Sequence, residues 1–409
     1  MTTRAECEER DAADHLAHLR NRFLLPPGVI YLDGNSLGAL PAGVPGRIRR
    51  LVEEEWGTGL IRSWNDAGWV DLPRRVGDRI AGLVGARSGT VVACDSTSVN
   101  LFKAVEAALA LAPERPVILT DSGNFPTDLY VMAGVAARHG IEVRIRPADE
   151  VAAAIDRDVA VVALTQVDYR TGRLHDLPAI TAATHAAGAI SVWDLAHSAG
   201  VMPIDLEAAA VDLAVGCGYK YLNGGPGAPA FLYVAPRHQD RFRNPIQGWF
   251  GHAAPFEFRL EFEAAPGVDR VRVGTPHVLS LAALDAALDV FDGVDLVAVR
   301  AKSVALTELF LALVDERLDG TGFGVASPRE PSRRGSQVSL GHPAGYAVVQ
   351  ALIDRGVIGD FRSPDLCRFG FSPLYGRFVD VWDAVDRLAD VMAMGSWKDG
   401  RNRVRAAVT

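Results

Sequence analysis

The amino-acid sequence predicts an α/β fold: a large domain with a mainly parallel seven-stranded sheet, joined to a smaller α+β domain. Two patterns indicate this fold class. Between about residues 90 and 235, short apolar runs alternate with alanine-rich helical stretches, which is typical of parallel strands buried on both faces. Polar residues follow several of the runs directly, and in α/β sheets the binding site forms at the carboxyl ends of the strands.

Each strand of the predicted sheet corresponds to one apolar run. The seven runs, in chain order, are TVVACDS, PVILTDS, EVRIRPA, VAVVALTQ, AISVWDLAH, DLAVGCGYK and PAFLYVA. Helical stretches such as NLFKAVEAALALA and TDLYVMAGVAARHG separate several of them. The alternation therefore predicts helical crossovers between parallel strands.

The pattern changes after residue 275. Residues 276–318 predict two long helices; after them come candidate strands in GFGVAS, SQVSLGH and LCRFGFS and helices in AGYAVVQALIDRG and VWDAVDRLADVMAM. We therefore expect a large domain over residues 56–300 and a small α+β domain over residues 301–409. We expect the N-terminal segment, residues 1–55, to pack with the small domain.

Composition excludes several classes of function. Hydrophobic residues make up 49% and charged residues 22% of 409 residues, as in ordinary globular proteins. The net charge of −8 argues against nucleic acid or an anionic membrane as the main partner. No run approaches the ~18 apolar residues of a membrane span, and the charged N-terminus has no signal-peptide core, so we expect a cytoplasmic protein. The scattered cysteines predict free thiols rather than a metal cluster: Cys7, Cys94, Cys217 and Cys367.

Lys220 is the first candidate for chemistry. It follows an apolar run, in GCGYKYLNGGPGAP, and is one of only four lysines among 42 basic residues. A partly desolvated lysine has a lowered pKa and can form a Schiff base with a carbonyl group. The alternative is a surface lysine, the interpretation we give to the other three.

Asp194 lies 26 residues before Lys220, at the end of the run SVWD. A carboxylate there can keep the ring nitrogen of pyridoxal phosphate protonated, as that cofactor requires to act as an electron sink. Taken alone, Asp194 can equally be a strand-end cap. His197 can contact the cofactor, orient Asp194, or pack in the core.

A third element is suited to bind phosphate. Ser96, Thr97 and Ser98 stand directly before a predicted helix, and hydroxyl groups at a helix N-terminus bind phosphate dianions well. Simple N-capping explains the same residues and is compatible with that role. The order phosphate loop, aspartate, lysine is the order expected in the aminotransferase-like, fold type I family of pyridoxal phosphate enzymes.

Longer motifs narrow the resemblance to the kynureninase family. The matching motifs are YLDGNSLGALP (31–41), GLIRSWNDAGW (59–69), FPTD (125–128), DLAHSAG (194–200), GYKYLNGGPG (218–227), GWFGH (248–252) and RFGFSPLY (368–375). They cover almost the whole chain in register, and GWFGH and YLDGNSLG are far more specific than a lysine motif.

The resemblance implies a cofactor, pyridoxal 5′-phosphate, held as a Schiff base on Lys220. Asp194 would pair with its ring nitrogen, and Phe125 would stack on the ring. The remaining cofactor contacts implied within the subunit are Thr97, Ser98, Asp128, Thr165, His197 and Tyr219.

The resemblance also implies a homodimer with a shared active site, because Trp249 and Thr275 resemble residues that the family contributes from the neighbouring subunit. Arg368 would bind the α-carboxylate of the substrate, a bidentate task for which arginine is better suited than lysine; the alternative is a solvated arginine. Trp64, Asn65 and Trp69 are candidates for the pocket of the aniline ring, although Trp64 and Trp69 can equally pack the core.

The implied activity is hydrolysis of the Cβ–Cγ bond of L-kynurenine, or of its 3-hydroxy form, to anthranilate or 3-hydroxyanthranilate and L-alanine. This reaction serves tryptophan breakdown or a specialised biosynthetic route. Lys220 would be the base for the α-proton, and Tyr219 would donate a proton or only bind phosphate. The nearest rival is a cysteine desulfurase or selenocysteine lyase of the same fold, which needs a mobile cysteine; only Cys367 follows residue 217. An aminotransferase explains GWFGH poorly, and a catalytically silent regulatory protein would not need the lysine, aspartate and arginine together.

Overall fold

A seven-stranded sheet lies in the larger of two units in this computed structural model, which describes residues 2–404. The larger unit comprises Gly43–Asp168 and His175–Asp289. The smaller unit comprises the residues up to Ala42, the segment Tyr169–Leu174, and the residues from Val290 onward. Neither unit is therefore a single stretch of chain.

The elements follow one another in an alternating order. Within the described residues the α-helices are α1 (Arg4–Ala12), α2 (Val44–Arg50), α3 (Ser63–Asp66), α4 (Leu72–Leu83), α5 (Thr97–Leu111), α6 (Pro126–His139), α7 (Leu177–Ala186), α8 (Pro236–Gln239), α9 (Val278–Ala287), α10 (Leu296–Arg317), α11 (Gly345–Ile353) and α12 (Phe378–Met394). The strands there are β1 (Ile30–Tyr31), β2 (Val91–Ala93), β3 (Val117–Asp121), β4 (Glu142–Arg146), β5 (Val159–Thr165), β6 (Ile190–Asp194), β7 (Leu213–Cys217), β8 (Ala230–Val234), β9 (Gly324–Val325), β10 (Gln337–Gly341), β11 (Val357–Ile358), β12 (Asp360–Arg362) and β13 (Leu366–Gly370). A π-helix over Leu51–Gly59 and short 3₁₀ turns complete the chain.

The large sheet has the strand order β2–β8–β7–β6–β5–β3–β4. Strand β8 runs antiparallel to both of its neighbours, and the other pairs are parallel. Each of the seven apolar runs forms one of these strands, so the predicted mainly parallel sheet is confirmed. The edge strand β4 carries exposed charges at Glu142 and Arg146, which protects an open edge from pairing with another chain.

Helix α5 packs on the middle of this sheet. Its apolar residues, among them Leu101, Ala104 and Val105, join the buried core that includes Ile118 of β3 and Val161 of β5. Because every residue of β3, β5, β7 and β8 is buried, the central strands read as continuous apolar runs rather than as alternating ones.

A buried network of polar side chains lies at the amino end of β7. Asp212, directly before that strand, accepts hydrogen bonds from Ser191 N and Oγ (both 2.8 Å) and lies 2.7 and 2.8 Å from Nε2 of His238 and His185. Burial would raise the pKa of Asp212, but these hydrogen bonds outweigh it and hold that pKa well below its usual range. The network therefore favours the charged carboxylate in the folded chain.

The smaller unit contains the antiparallel sheet β12–β13–β10–β9 and the parallel pair β1–β11. Helix α1 packs on α12, and Asp11 of α1 accepts hydrogen bonds from the first amides of α12, Phe378 N (2.6 Å) and Val379 N (2.9 Å). These bonds satisfy amides that a helix N-terminus leaves free. Strands β9, β10 and β13 and helices α11 and α12 agree with the predicted ones, whereas β1, β11 and β12 were not predicted.

The unit boundaries fall at residues 42/43 and 289/290, not at the expected 55/56 and 300/301. Helix α2 packs on α9 within the larger unit, while α10 begins at Leu296 and packs on α12. The segment Tyr169–Leu174 also belongs to the smaller unit, where Leu174 N donates to Arg333 O and Gly335 N to Gly172 O (both 2.8 Å). Among the described residues, no helix combines the length and apolar character that crossing a membrane requires.

Candidate active site

Three predicted residues of the larger unit lie at or just after the carboxyl ends of three adjacent strands, whereas Thr275 is exposed in a loop. Thr165 and Asp194 are the last residues of β5 and β6 and stand opposite each other in the sheet. Lys220 follows the end of β7, at Cys217, by three residues. Because these strands are neighbours and parallel, their polar ends reach one edge of the sheet.

The amine of Lys220 lies against the imidazole of His197. Nζ is 2.8 Å from Nε2 of His197, and it lies 6.0 and 5.8 Å from the ring centroids of Phe125 and Tyr219. An imidazole nitrogen can take a proton from the amine or hold one beside it, depending on the tautomer. The structure thus places three predicted residues around the amine, and His197, which is itself buried, contacts Lys220.

Two buried carboxyl groups, Asp128 and Asp194, control the electrostatics of this pocket. Burial raises the pKa of Asp194 to about 6, although the charge of Lys220 and a hydrogen bond from Ala196 N (2.8 Å) act in the opposite direction. Burial and the negative charge of Asp194 raise the pKa of Asp128 well above its usual range. A cationic group entering the pocket would therefore find a carboxylate that gains stability from pairing with it.

Asn124 is a site residue that the sequence did not reveal. Its Oδ1 accepts hydrogen bonds from the Thr165 hydroxyl and from Phe125 N (2.8 Å), and its Nδ2 donates to Thr120 Oγ1 (3.1 Å). Thr165 Oγ1 also lies 3.4 Å from Asp128 Oδ2. Asn124 therefore holds the start of α6 against the end of β5; its position directly before FPTD is the signal that could have identified it.

A cavity of about 620 Å³ opens at the N-terminus of α5. Ser96 caps this helix by accepting a hydrogen bond from Val99 N (3.4 Å). Ser96, Thr97 and Tyr219 belong to the cavity lining, whereas Ser98 does not. The free amides of the helix N-terminus and these hydroxyl groups are suited to a phosphate group.

These residues fit a cofactor that carries both an aldehyde and a phosphate. Lys220 offers an amine for a Schiff base, and the α5 cavity offers a phosphate cradle. Asp194 offers a buried carboxyl that favours a protonated ring nitrogen. Within residues 2–404 no group of histidine, cysteine and acidic side chains is arranged to hold a metal ion.

Two of the other three lysines are not surface residues, so the interpretation of them as surface lysines is wrong. Lys103 is fully buried, and its Nζ lies 2.6 Å from Asp95 Oδ2. Lys302 is also buried, 2.7 Å from Asp14 Oδ2. Buried ammonium groups need such partners. The apolar helix around Lys103 was the available signal.

Aromatic residues from two motifs lie together in the larger unit. Trp64 packs edge-on against Trp69, with ring centroids 5.6 Å apart, and lies 6.2 Å from Phe250. Trp249 contacts Phe250 at 4.3 Å yet keeps 39% of its surface exposed. Asn65 is exposed on α3. Trp64 is therefore half-buried in an aromatic cluster with Trp69 and Phe250.

Arg368 lies in the middle of β13 in the smaller unit and is only 1% exposed, so it is not a solvated arginine. Its Nε donates to Asp360 Oδ1 (2.8 Å) and its Nη2 to Asp360 Oδ2. Nη2 also donates to Ser36 Oγ (2.7 Å), and Nη1 donates to Tyr169 O (2.6 Å). The guanidinium is thus fixed in orientation by three residues far apart in sequence, none of which was predicted.

Two carboxyl groups beside Arg368 differ in protonation. Burial would raise the pKa of Asp360, but the Arg368 guanidinium outweighs it and holds that pKa below its usual range. Burial and the charge of Asp360 raise the pKa of Asp33 to about 8, despite the opposing charge of Arg368. At neutral pH the cluster therefore carries one carboxylate against Arg368 and a mostly protonated second acid.

Comparison with known proteins identifies relatives over the full length. Residues 299–388 match the model of the kynureninase C-terminal domain. The chain is 51% identical to the kynureninases of Pseudomonas fluorescens and of Burkholderia pseudomallei, and each alignment covers 100% of both chains.

Solved structures show the same fold at low identity. The Escherichia coli cysteine desulfurase CsdA matches with a TM-score of 0.77 and 19% identity, over 93% of this chain and 98% of that one. A C-DES mutant with glycine covalently linked to its PLP cofactor matches with a TM-score of 0.78 and 20% identity, over 91% and 99%. Because the identity is so low, these likenesses concern the fold alone.

Proposed function

The chain belongs to the kynureninase family, and from this premise we propose that it hydrolyses the Cβ–Cγ bond of L-kynurenine to anthranilate and L-alanine. Pyridoxal 5′-phosphate is the cofactor, and 3-hydroxykynurenine is a second substrate with the same chemistry. The observation that carries the proposal is the 2.8 Å contact of Lys220 Nζ with His197, next to the buried carboxyl of Asp194. These are the groups that this cofactor needs.

Pyridoxal 5′-phosphate would supply an electron sink that makes the α-proton of an amino acid removable and lets the β-carbon keep the bonding electrons when the Cβ–Cγ bond breaks. Lys220 takes the α-proton and returns it, as general base and then general acid. His197 beside it holds the amine in place and accepts a hydrogen bond from it. Asp194 stays charged to stabilise positive charge at the ring nitrogen.

Tyr219 and one water molecule complete the hydrolysis. Water adds to the γ-carbonyl of the substrate, and the Cβ–Cγ bond then breaks, so that the ring portion leaves as anthranilate and the β-carbon gains a proton. Tyr219 borders both the Lys220 amine and the α5 cavity. Its hydroxyl is the proton donor that we assign to the carbonyl or to the β-carbon.

Arg368 binds the α-carboxylate of the substrate. Three residues fix its guanidinium in one orientation, which lowers the entropy lost when a carboxylate binds. Asp360 is paired with it and partly neutralises its charge. Trp64 and Asn65 receive the aniline ring.

The active enzyme is a homodimer in which Trp249 and Thr275 complete the partner's site. Exposed aromatic side chains support an interface here: Phe256 and Phe258 have ring centroids 5.7 and 6.3 Å from that of Trp249, and all three are exposed. Such clusters on a folded surface mark interaction sites. Sedimentation analysis over a concentration series tests the dimer, and a chain that stays monomeric at assay concentration would refute it.

A cysteine desulfurase is the second candidate, because its fold is shared. Cys367 is fully buried in β13, and burial raises the pKa of its thiol far above the usual range. A buried thiol of this kind is a poor nucleophile. This feature favours the hydrolase over the desulfurase.

Incubation with L-kynurenine separates the two candidates. Anthranilate fluorescence and L-alanine should appear together, in equal amounts, and L-cysteine should release no sulfide. Sulfide release from L-cysteine, with L-kynurenine and 3-hydroxykynurenine both untouched, would refute the proposed function. For location we propose the cytoplasm, which cell fractionation tests.

A further inference from the structure

Lys103 is paired with Asp95, a residue of the α5 cavity lining. It is fully buried on the second turn of α5, and its Nζ donates to Asp95 Oδ2 (2.6 Å) and to Val271 O (2.9 Å). Removing an ammonium group from water costs free energy, so a buried lysine is found where a partner compensates its charge. For Lys103 that partner is Asp95.

Asp95 is an acidic residue in the lining of a cavity suited to phosphate. It lines the cavity together with Ser96 and Thr97, and 19% of its side chain remains accessible. Its backbone has a φ of 51°, in the left-handed region, and its carbonyl accepts a hydrogen bond from Ala230 N (2.9 Å). A carboxylate held there would repel a phosphate dianion unless a cation compensated it.

We propose that Lys103 is a positioning residue for cofactor binding: it neutralises Asp95 and fixes the loop of Asp95, Ser96 and Thr97 in the form that accepts the phosphate group. Lys103 acts through Asp95 and the loop, and it takes no part in the reaction. This inference rests on the proposed function, because it concerns the phosphate of pyridoxal 5′-phosphate.

Two ligands separate this role from a purely structural one. Pyridoxal has the ring and the aldehyde of the cofactor but lacks the phosphate. Replacing Lys103 by methionine leaves an uncompensated negative charge at Asp95. Lys103→Met should therefore weaken binding of pyridoxal 5′-phosphate about 10- to 100-fold, which corresponds to a unit charge at close range in a protein environment, and should change binding of pyridoxal less than about threefold.

The chain offers a matched control and a rescue. Lys302 is the other buried lysine, paired with Asp14 at 2.7 Å in the smaller unit; Lys302→Met should leave both affinities unchanged. The double variant Asp95→Asn with Lys103→Met removes both charges and should recover most of the lost affinity. Asp95→Asn alone, which keeps the cation, should bind pyridoxal 5′-phosphate at least as tightly as the wild type.

Quenching of tryptophan fluorescence in the full-length apoprotein measures these affinities without turnover. Equal weakening for pyridoxal and pyridoxal 5′-phosphate, or a double variant no better than Lys103→Met, would overturn the inference. If Lys103→Met does not fold, Asp95→Asn decides: weaker binding of pyridoxal 5′-phosphate by this variant refutes the charge argument. A wild type that binds neither ligand would instead refute the proposed function.

Discussion

Replacing Arg368 by lysine should lower kcat/KM for L-kynurenine by about 30- to 150-fold. In the structure, Arg368 donates two hydrogen bonds to Asp360, one to Ser36 and one to Tyr169 O. Four of its five N–H groups are therefore engaged, so a substrate carboxylate bound by two hydrogen bonds takes the fifth and displaces one of the present acceptors. A lysine amine donates from a single atom, so it cannot keep Asp360 and also bind a carboxylate with this two-bond geometry. Losing the two-bond geometry in a buried site removes about 2–3 kcal/mol, at about 1.4 kcal/mol per tenfold.

Anthranilate fluorescence over a series of L-kynurenine concentrations, with saturating cofactor, gives kcat and KM separately, and most of the change should lie in KM. Arg329→Lys is the matched control, since Arg329 makes two hydrogen bonds to Asp315 (2.7 and 2.8 Å) on the surface of the same unit. This substitution should change kcat/KM less than twofold. A folded Arg368→Lys variant within threefold of wild-type kcat/KM would show that Arg368 supports the fold and does not hold the substrate.

Three further changes have defined outcomes. Lys220→Ala should abolish both activity and the visible absorbance of bound cofactor, whereas Lys398→Ala, on an exposed residue, should change neither; a Lys220→Ala variant with full absorbance and turnover would contradict the site. Asp212→Asn should lower the free energy of unfolding by about 3 kcal/mol at pH 7. Because the pKa of Asp212 is lower in the folded chain than in the unfolded one, its charge stabilises the fold above the unfolded pKa of about 4, and this stabilisation is lost as the pH falls. Urea unfolding should therefore show a smaller difference in stability between wild type and Asp212→Asn at about pH 3.5 than at pH 7. Equal differences at the two pH values would count against the charged network. Mixing a Lys220→Ala protein with a Trp249→Ala protein should restore up to about a quarter of wild-type activity, because about half of the exchanged dimers are hybrids and each hybrid has one intact site of two. No recovery after subunit exchange would exclude a shared site.

The larger unit could be predicted because its sheet gives a strong local signal. Strands β3, β5, β7 and β8 are buried along their whole length and are written as unbroken apolar runs. Lys220 and Asp194 stood out because each comes at or just after the end of such a run, where a parallel sheet collects its polar groups. The motifs of the kynureninase family then supplied the specific chemistry, which local patterns alone left open.

The surroundings of Arg368 could not be predicted because two of its three partners come from distant segments and the third lies on a strand without an apolar pattern. Asp360 lies on β12, a three-residue edge strand whose charged ends give no apolar pattern. Ser36 and Tyr169 approach from segments more than 190 residues away in the chain. Lys103 differs: its partner Asp95 is only eight residues away and the apolar residues around it on α5 were a local signal of burial, but lysine is ordinarily exposed.

The division of the chain at four points limits how this protein can be taken apart or recombined. The chain leaves and re-enters the smaller unit at residues 42/43, 168/169, 174/175 and 289/290. A C-terminal fragment beginning at Val290 would lack β1, the partner of β11, and α1, which packs on α12. Exchange of the smaller unit between two relatives would therefore need four junctions. A single crossover between two homologous genes would instead combine parts of the smaller unit from both parents, and later substitutions would have to restore the packing between those parts.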